Sequence, residues 1–152
     1  MQTSAHQGSW TNWLLSNPGK ARFWIFYREG EETAYEPCAM GGLENIQWEN
    51  GVAEMSLIVN PSMRRQGNGR YAFRWLLGEA FDRMRLNSVW SETYECNVAG
   101  MGFIDAIRNT YRFHTTWLPD RKYWDGKYVM ALRWAINKER WDEIRSWHPG
   151  KG

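Results

Sequence analysis

The chain has 152 residues, 43% of them hydrophobic and 24% charged, a size and balance that fit one globular domain spanning 1–152 with a core of its own. A formal net charge of +2 lacks the basic footprint that duplex binding needs, so nucleic acid is disfavoured as a partner. Cys38 and Cys96 stand alone with no CxxC, which makes neither a zinc site nor a disulfide framework, and no metal is expected.

Met1 to Gln7 carries no charged-then-apolar leader pattern, and no apolar run approaches a membrane span. A soluble, reducing, cytoplasmic setting is the expectation. Trp10 to Ser16 reads as a short helix stopped by Asn17-Pro18-Gly19. Phe23 to Tyr27 reads as a first strand, with a turn around Gly30, and Glu36 to Leu43 as a second, loosened by Pro37 and Gly41-Gly42. Asn50-Gly51 is a hairpin signal leading into a third strand, Val52 to Val59. Eleven tryptophans are spread along the whole chain, which suits core building more than one stacking surface.

Pro61 closes the third strand. Residues 64–70, Arg-Arg-Gln-Gly-Asn-Gly-Arg, form a glycine-bearing loop before a helix whose Phe73, Leu76, Leu77, Ala80, Phe81 and Met84 share one face. Val89 to Tyr94 returns as a strand, so a strand, crossover helix and strand predict parallel pairing. Gly102 to Asn109 reads as a helix, and Phe113 to Leu118 and Lys127 to Trp134 as late strands. Between them a loop carries Pro119, Asp120 and Asp125-Gly126, and Ile136 to Trp147 reads as a terminal helix. The fold class is α/β, with antiparallel hairpins flanking one βαβ unit.

The loop carries the chemistry. A helix N-terminus presents N–H groups without partners and concentrates partial positive charge. Gly67 and Gly69 let those donors approach a phosphate, and Arg64, Arg65 and Arg70 add charge. A plain strand-to-helix turn with solvated arginines is the other reading of the loop taken alone.

Arg64, Gly67 and Gly69 match the pyrophosphate loop of the GNAT superfamily of acyl-coenzyme A transferases, and the chain resembles that family. Ala53 to Pro61 is similar to the family's fourth strand with its Val-x-Pro exit. The run from Ala80-Phe81 through Leu86-Asn87-Ser88-Val89-Trp90 to Asn97 resembles the branch that acetylates ribosomal-protein N-termini. The likeness is good from about Leu43 to Asn97 and extends to Trp134. It implies a central mixed, mainly antiparallel sheet flanked by helices, acetyl-coenzyme A as cofactor, and transfer of an acetyl group to a primary amine of a protein or peptide.

The resemblance also implies roles. Residues 64–70 (Arg64, Arg65, Gln66, Gly67, Asn68, Gly69, Arg70) would hold the diphosphate, and Leu57, Ile58 and Val59 would lie along the pantetheine arm through main chain. Asn97 matches a family asparagine that touches the cofactor. Glu54 is the expected general base, and His114 the reserve. The family's acid is a tyrosine, but five residues before Phe113 stands Arg108, so Tyr111 or Tyr94 would substitute, or Arg108 would stabilise the thiolate. About twenty residues precede Phe23, which reads as an abbreviated N-terminal end and an acceptor site that is either more open or closed by a partner subunit. Trp24, Tyr27 and Trp117 would line that site, with Trp48 and Trp124, and Pro119 to Gly126 would act as a lid. A homodimer is among the expected partners, and no membrane is. An inactive coenzyme A-binding module and an acyltransferase for a nucleic-acid-borne amine are the alternatives.

Overall fold

The computed structural model describes residues 16–30 and 34–147. The expected helix at 10–16 lies outside them except for Ser16. The elements are β1 (Arg22–Glu29), β2 (Tyr35–Gln47), β3 (Val52–Val59), a 3₁₀ turn (Pro61–Met63), α1 (Asn68–Gly78) with a π turn (Glu79–Arg83), β4 (Ser88–Tyr94), α2 (Val98–Tyr111), β5 (His114–Trp124), β6 (Lys127–Asn137) and α3 (Lys138–Trp147).

The strands form one six-stranded sheet in the order β1-β2-β3-β4-β6-β5. All neighbours pair antiparallel except β3 and β4, which are parallel and joined across α1. This is the mixed, mainly antiparallel sheet that the hairpins and the single crossover predict. Residues alternate between the two faces. Ala53, Met55, Val89 and Trp134 turn to one face, where they meet Phe73 and Leu76 of α1, Ile107 of α2 and Ile144 of α3 in one buried cluster. Each large side chain taken from water there contributes about 1.5–3 kcal/mol. Gly41 lets the sheet and helix approach closely, because a Cβ there would lie 2.6 Å from the Leu76 side chain, which would have to shift.

Several boundaries differ from expectation. The helix read as continuous to Met84 relaxes into a π turn, with the Met84 N–H bonding to the Glu79 carbonyl. Ile136 ends β6 rather than opening the last helix, and α2 begins at Val98, four residues before Gly102. The expected lid is strand: 119–124 belong to β5, and the only turn is Asp125-Gly126. Pro119 is tolerated because β5 is an edge strand and its register shifts between Leu118 and Lys122. Among the described residues no helix is long and apolar enough to cross a membrane.

Candidate active site

The parallel pair β3/β4 is short. Val52, Ala53 and Glu54 pair with Ser88, Val89 and Trp90, and there pairing ends, although β3 runs on to Val59 and β4 to Tyr94. β3 is held on its other side by β2 as far as Ala39↔Val59, and β4 by β6 as far as Tyr94↔Ala131. The strands therefore splay into a wedge. Backbone N–H and C=O groups that point into it from residues 55–59 have no ladder partner, so an extended chain can pair there as an added strand would. α1 and α2 both begin at the open end, and Phe103 of α2 packs beside Gly69 of α1.

Glu54 sits at the apex. Its register partners are Glu44 on β2 and Trp90 on β4, and the alternation puts it on the face opposite the helices. Its Oε2 accepts a 2.8 Å bond from Asn45 Nδ2, and Glu44 accepts from the Ser56 hydroxyl. Burial pushes the Glu54 carboxyl above its ordinary range. The Asn45 bond and the Arg133 charge oppose that rise, while Glu44 and Glu92 add to it. Glu92, two residues along β4, is different. Burial alone would raise its pKa, but bonds from Arg133 and Arg121 win and hold it low. Arg133 also lies over the Trp90 ring, 4.5 Å from its centre. A carboxylate with raised proton affinity thus stands beside one that stays ionised.

The loop at the open end has the form of an anion cradle. Gly67 is the N-cap of α1 with φ +82°, nothing lies within 4 Å of where its Cβ would be, and no side chain caps the helix. The first free turn of N–H groups, at 68–70, is therefore unoccupied by capping side chains, because the first intrahelical bond runs from Tyr71 N–H to the Gly67 carbonyl. Gly69 is packed: a Cβ there would come within 3.2 Å of both Phe103 and Val59. The Asn68 side chain braces the loop on the Met63 carbonyl at 3.0 Å, and Arg28 on β1 bonds the Gln66 side chain. Arg64, Arg65 and Arg70 are exposed around it. Donors, open space and cations together fit a diphosphate.

The remaining expected residues divide. Leu57 and Val59 turn to the helix face and Ile58 to the Glu54 face, all along the splayed edge. Asn97 is the N-cap of α2, its Oδ1 accepting from Gly100 N–H at 3.0 Å, so its carboxamide has a structural task at the mouth of the wedge. Tyr94 closes β4 beside the wedge, with Lys122 over its ring.

Others lie elsewhere. Tyr111 is buried, stacked on Phe113 and edge-on to Phe73; burial raises its phenol, opposed by Arg74, and it serves the core. Arg108 is exposed and paired with Asp105 on its own helix. His114 is in the register row Glu54–Trp90–Ala135–His114, three strands and about 14 Å from Glu54. Trp24 lies under α1 against Trp75, and Trp117 is on the outermost strand in register with Leu132; both are on the helix side of the sheet, away from Glu54. Tyr27 is exposed on the Glu54 side of β1, but its partner Pro37 sets it beyond the Val59 end of β3, near the loop. Trp48, in the β2–β3 turn, donates to the carbonyl of Gly19 ahead of β1, and Trp124 covers Lys122.

Sequence reasoning missed Glu44, Asn45, Trp90, Glu92 and Arg133. Strand register brings them to Glu54, and only the alternation of Trp90, Glu92 and Tyr94 could have signalled three of that face.

A family profile described as "Acetyltransferase (GNAT) family" matches residues 2–107. No curated protein matches the chain. Among solved structures, spermidine N-acetyltransferase from Vibrio cholerae in complex with CoA and spermine superposes with TM-score 0.74 at 15% identity, covering 93% of this chain and 79% of that one. A chimera of the Vibrio cholerae enzyme and hSSAT gives TM-score 0.76 at 15% identity, covering 93% and 84%. A dodecameric form of the Vibrio cholerae enzyme gives 0.73 at 15%, covering 93% and 78%. At this identity the likeness is one of fold, and it does not reach the ribosomal-protein branch.

Proposed function

We propose, from the premise that this chain belongs to the acetyltransferase (GNAT) family, that Glu54 is the general base for acetylation of a cationic aliphatic amine. The chain is an N-acetyltransferase that uses acetyl-coenzyme A. The observation that carries the reading is the position of Glu54 at the apex of the β3/β4 wedge with its proton affinity raised by burial.

The thioester supplies the activated acetyl group. The chain's own residues do the rest. N–H groups of 68–70, with Arg64, Arg65 and Arg70, would hold the diphosphate. The unpaired edge of 55–59 would receive the pantetheine amides, with its N–H groups available to the thioester carbonyl oxygen. An amine arrives protonated and must lose a proton before it attacks, and in this reading Glu54 takes it. Tyr94 is the tyrosine beside the wedge that can return a proton to the departing sulfur. A thiol of ordinary pKa, about 8.5, leaves without strong help.

Glu44 favours a polycationic amine as acceptor. It stands opposite Glu54, and neither carboxylate forms an ion pair among the described residues. Such a like-charge pair is unfavourable until a cation arrives. The related structures whose names include spermidine make a polyamine the natural first probe. A protein or peptide amine is the second reading, favoured by the exposed row Ile25–Met40–Ile58 on the same face. Thiol release from acetyl-coenzyme A separates them: a polyamine should be turned over at least about tenfold faster than a monoamine or a lysine peptide. Preference for the peptide would reverse the assignment.

A further inference from the structure

We propose that Asn45 is a positioning residue for Glu54: a bulge in β2 aims its carboxamide at one oxygen of the base and leaves the other for the proton of the acceptor. The inference rests on the reading of Glu54 given above. Between the pairs Glu44↔Glu54 and Gln47↔Val52, β2 advances one residue more than β3, so one residue of β2 has no partner. Bulges of this kind re-aim side chains and recur beside active sites. Asn45 sits in it with φ +48°, and its Nδ2 lies 2.8 Å from Glu54 Oε2.

The bulge is anchored by its other member. Ile46 is 0% exposed, and its N–H bonds the Lys20 carbonyl at 3.0 Å. The backbone conformation at 45 is therefore imposed by the core, and only Gly, Asn and Asp adopt it at low cost. Gly offers no donor to Glu54. Asp would bring another carboxylate beside Glu44 and Glu54. Asn meets both demands. The charged groups around Glu54 are Glu44 from β2, Glu92 from β4 and Arg133 from β6. Against burial and two carboxylates, the Asn45 donor and Arg133 are what favour the charged, proton-accepting form.

The test uses Asn45→Gly, Asn45→Asp and Glu54→Gln in the full chain. The Glu54 side-chain carboxyl is followed by ¹³C NMR against pH, and kcat/KM against pH in parallel. Gly fits the backbone, so Asn45→Gly should fold normally. Its Glu54 midpoint should move to higher pH, the acid limb of kcat/KM should move with it, and kcat/KM on that limb should drop on the order of fivefold while the alkaline plateau changes little. Asn45→Asp should move both further in the same direction and covers the case in which the Gly variant folds poorly. If both variants leave midpoint and limb in place, Asn45 serves only the bulge and the proposal is overturned. If the midpoint moves but the limb does not, and Glu54→Gln keeps the same limb, Glu54 is not the base and the positioning role falls with it. A limb lost in Glu54→Gln but unmoved in the Asn45 variants sinks the Asn45 proposal alone.

Discussion

Glu54 and Trp90 are the last paired residues of the two parallel strands, and the wedge opens from them. A side chain at that point meets whatever lies at the end of the unpaired edge. Glu54→Gln should therefore lower kcat/KM by roughly 10²–10⁴ and remove its acid limb, with little change in affinity for coenzyme A. Steady-state rates across pH and calorimetric titration of coenzyme A check the two parts. Retained activity would move the base elsewhere.

The same substitution should stabilise the fold. A carboxyl whose proton affinity is raised on folding favours the folded state below its unfolded pKa and loses that contribution as pH rises through the folded value. Glu54→Gln escapes the loss. Its Tm should exceed the parent's at pH 7–8 by up to about 2 °C, given partial solvent screening, and the gap should close towards pH 4. A gap that widens in acid would contradict the sign.

Gly67 and Gly69 should fail differently. Gly67 has open space but φ +82°, so Gly67→Ala should cost about 1–2 kcal/mol in backbone strain and weaken coenzyme A binding. Gly69 has helical neighbours and no room, so Gly69→Val should cost about 1–3 kcal/mol by overpacking against Phe103 and Val59. Urea unfolding of each, alongside coenzyme A titration, distinguishes strain from crowding.

Glu92 ties the outer hairpin to the sheet through Arg121 and Arg133. Its depressed pKa makes this contribution complete above its unfolded value and lost as pH falls through the folded one. Glu92→Gln should speed amide hydrogen exchange in 118–130 at neutral pH, an effect that fades in acid. Unchanged exchange would show the hairpin to be held by Glu95, which accepts from Met130 N–H.

What the sequence revealed was local. Arg64 and Gly67 stand in the loop before α1 and Gly69 in its first turn, and the spacing of Phe73, Leu76 and Leu77 already contains the buried face of that helix. The strand-helix-strand order was enough to predict the parallel pair. Residues joined by sheet register were not legible, because nothing near Glu92 or Arg133 in the chain names Glu54 as a neighbour. His114 looked available only because β6 lies between β5 and β4, an order that local signals do not carry. Tyr111 could have been placed from its spacing with Ile104 and Ile107, which puts it in the core. At 119–124, Pro and Asp suggested a loop where an irregular edge strand accommodates them.

The most direct test is an amide-resolved NMR titration of the full chain with coenzyme A. Saturable shifts should concentrate on the N–H groups of 68–70 and along 55–59. Shifts gathered on another surface, with those amides unmoved, would contradict a nucleotide held at the mouth of the wedge.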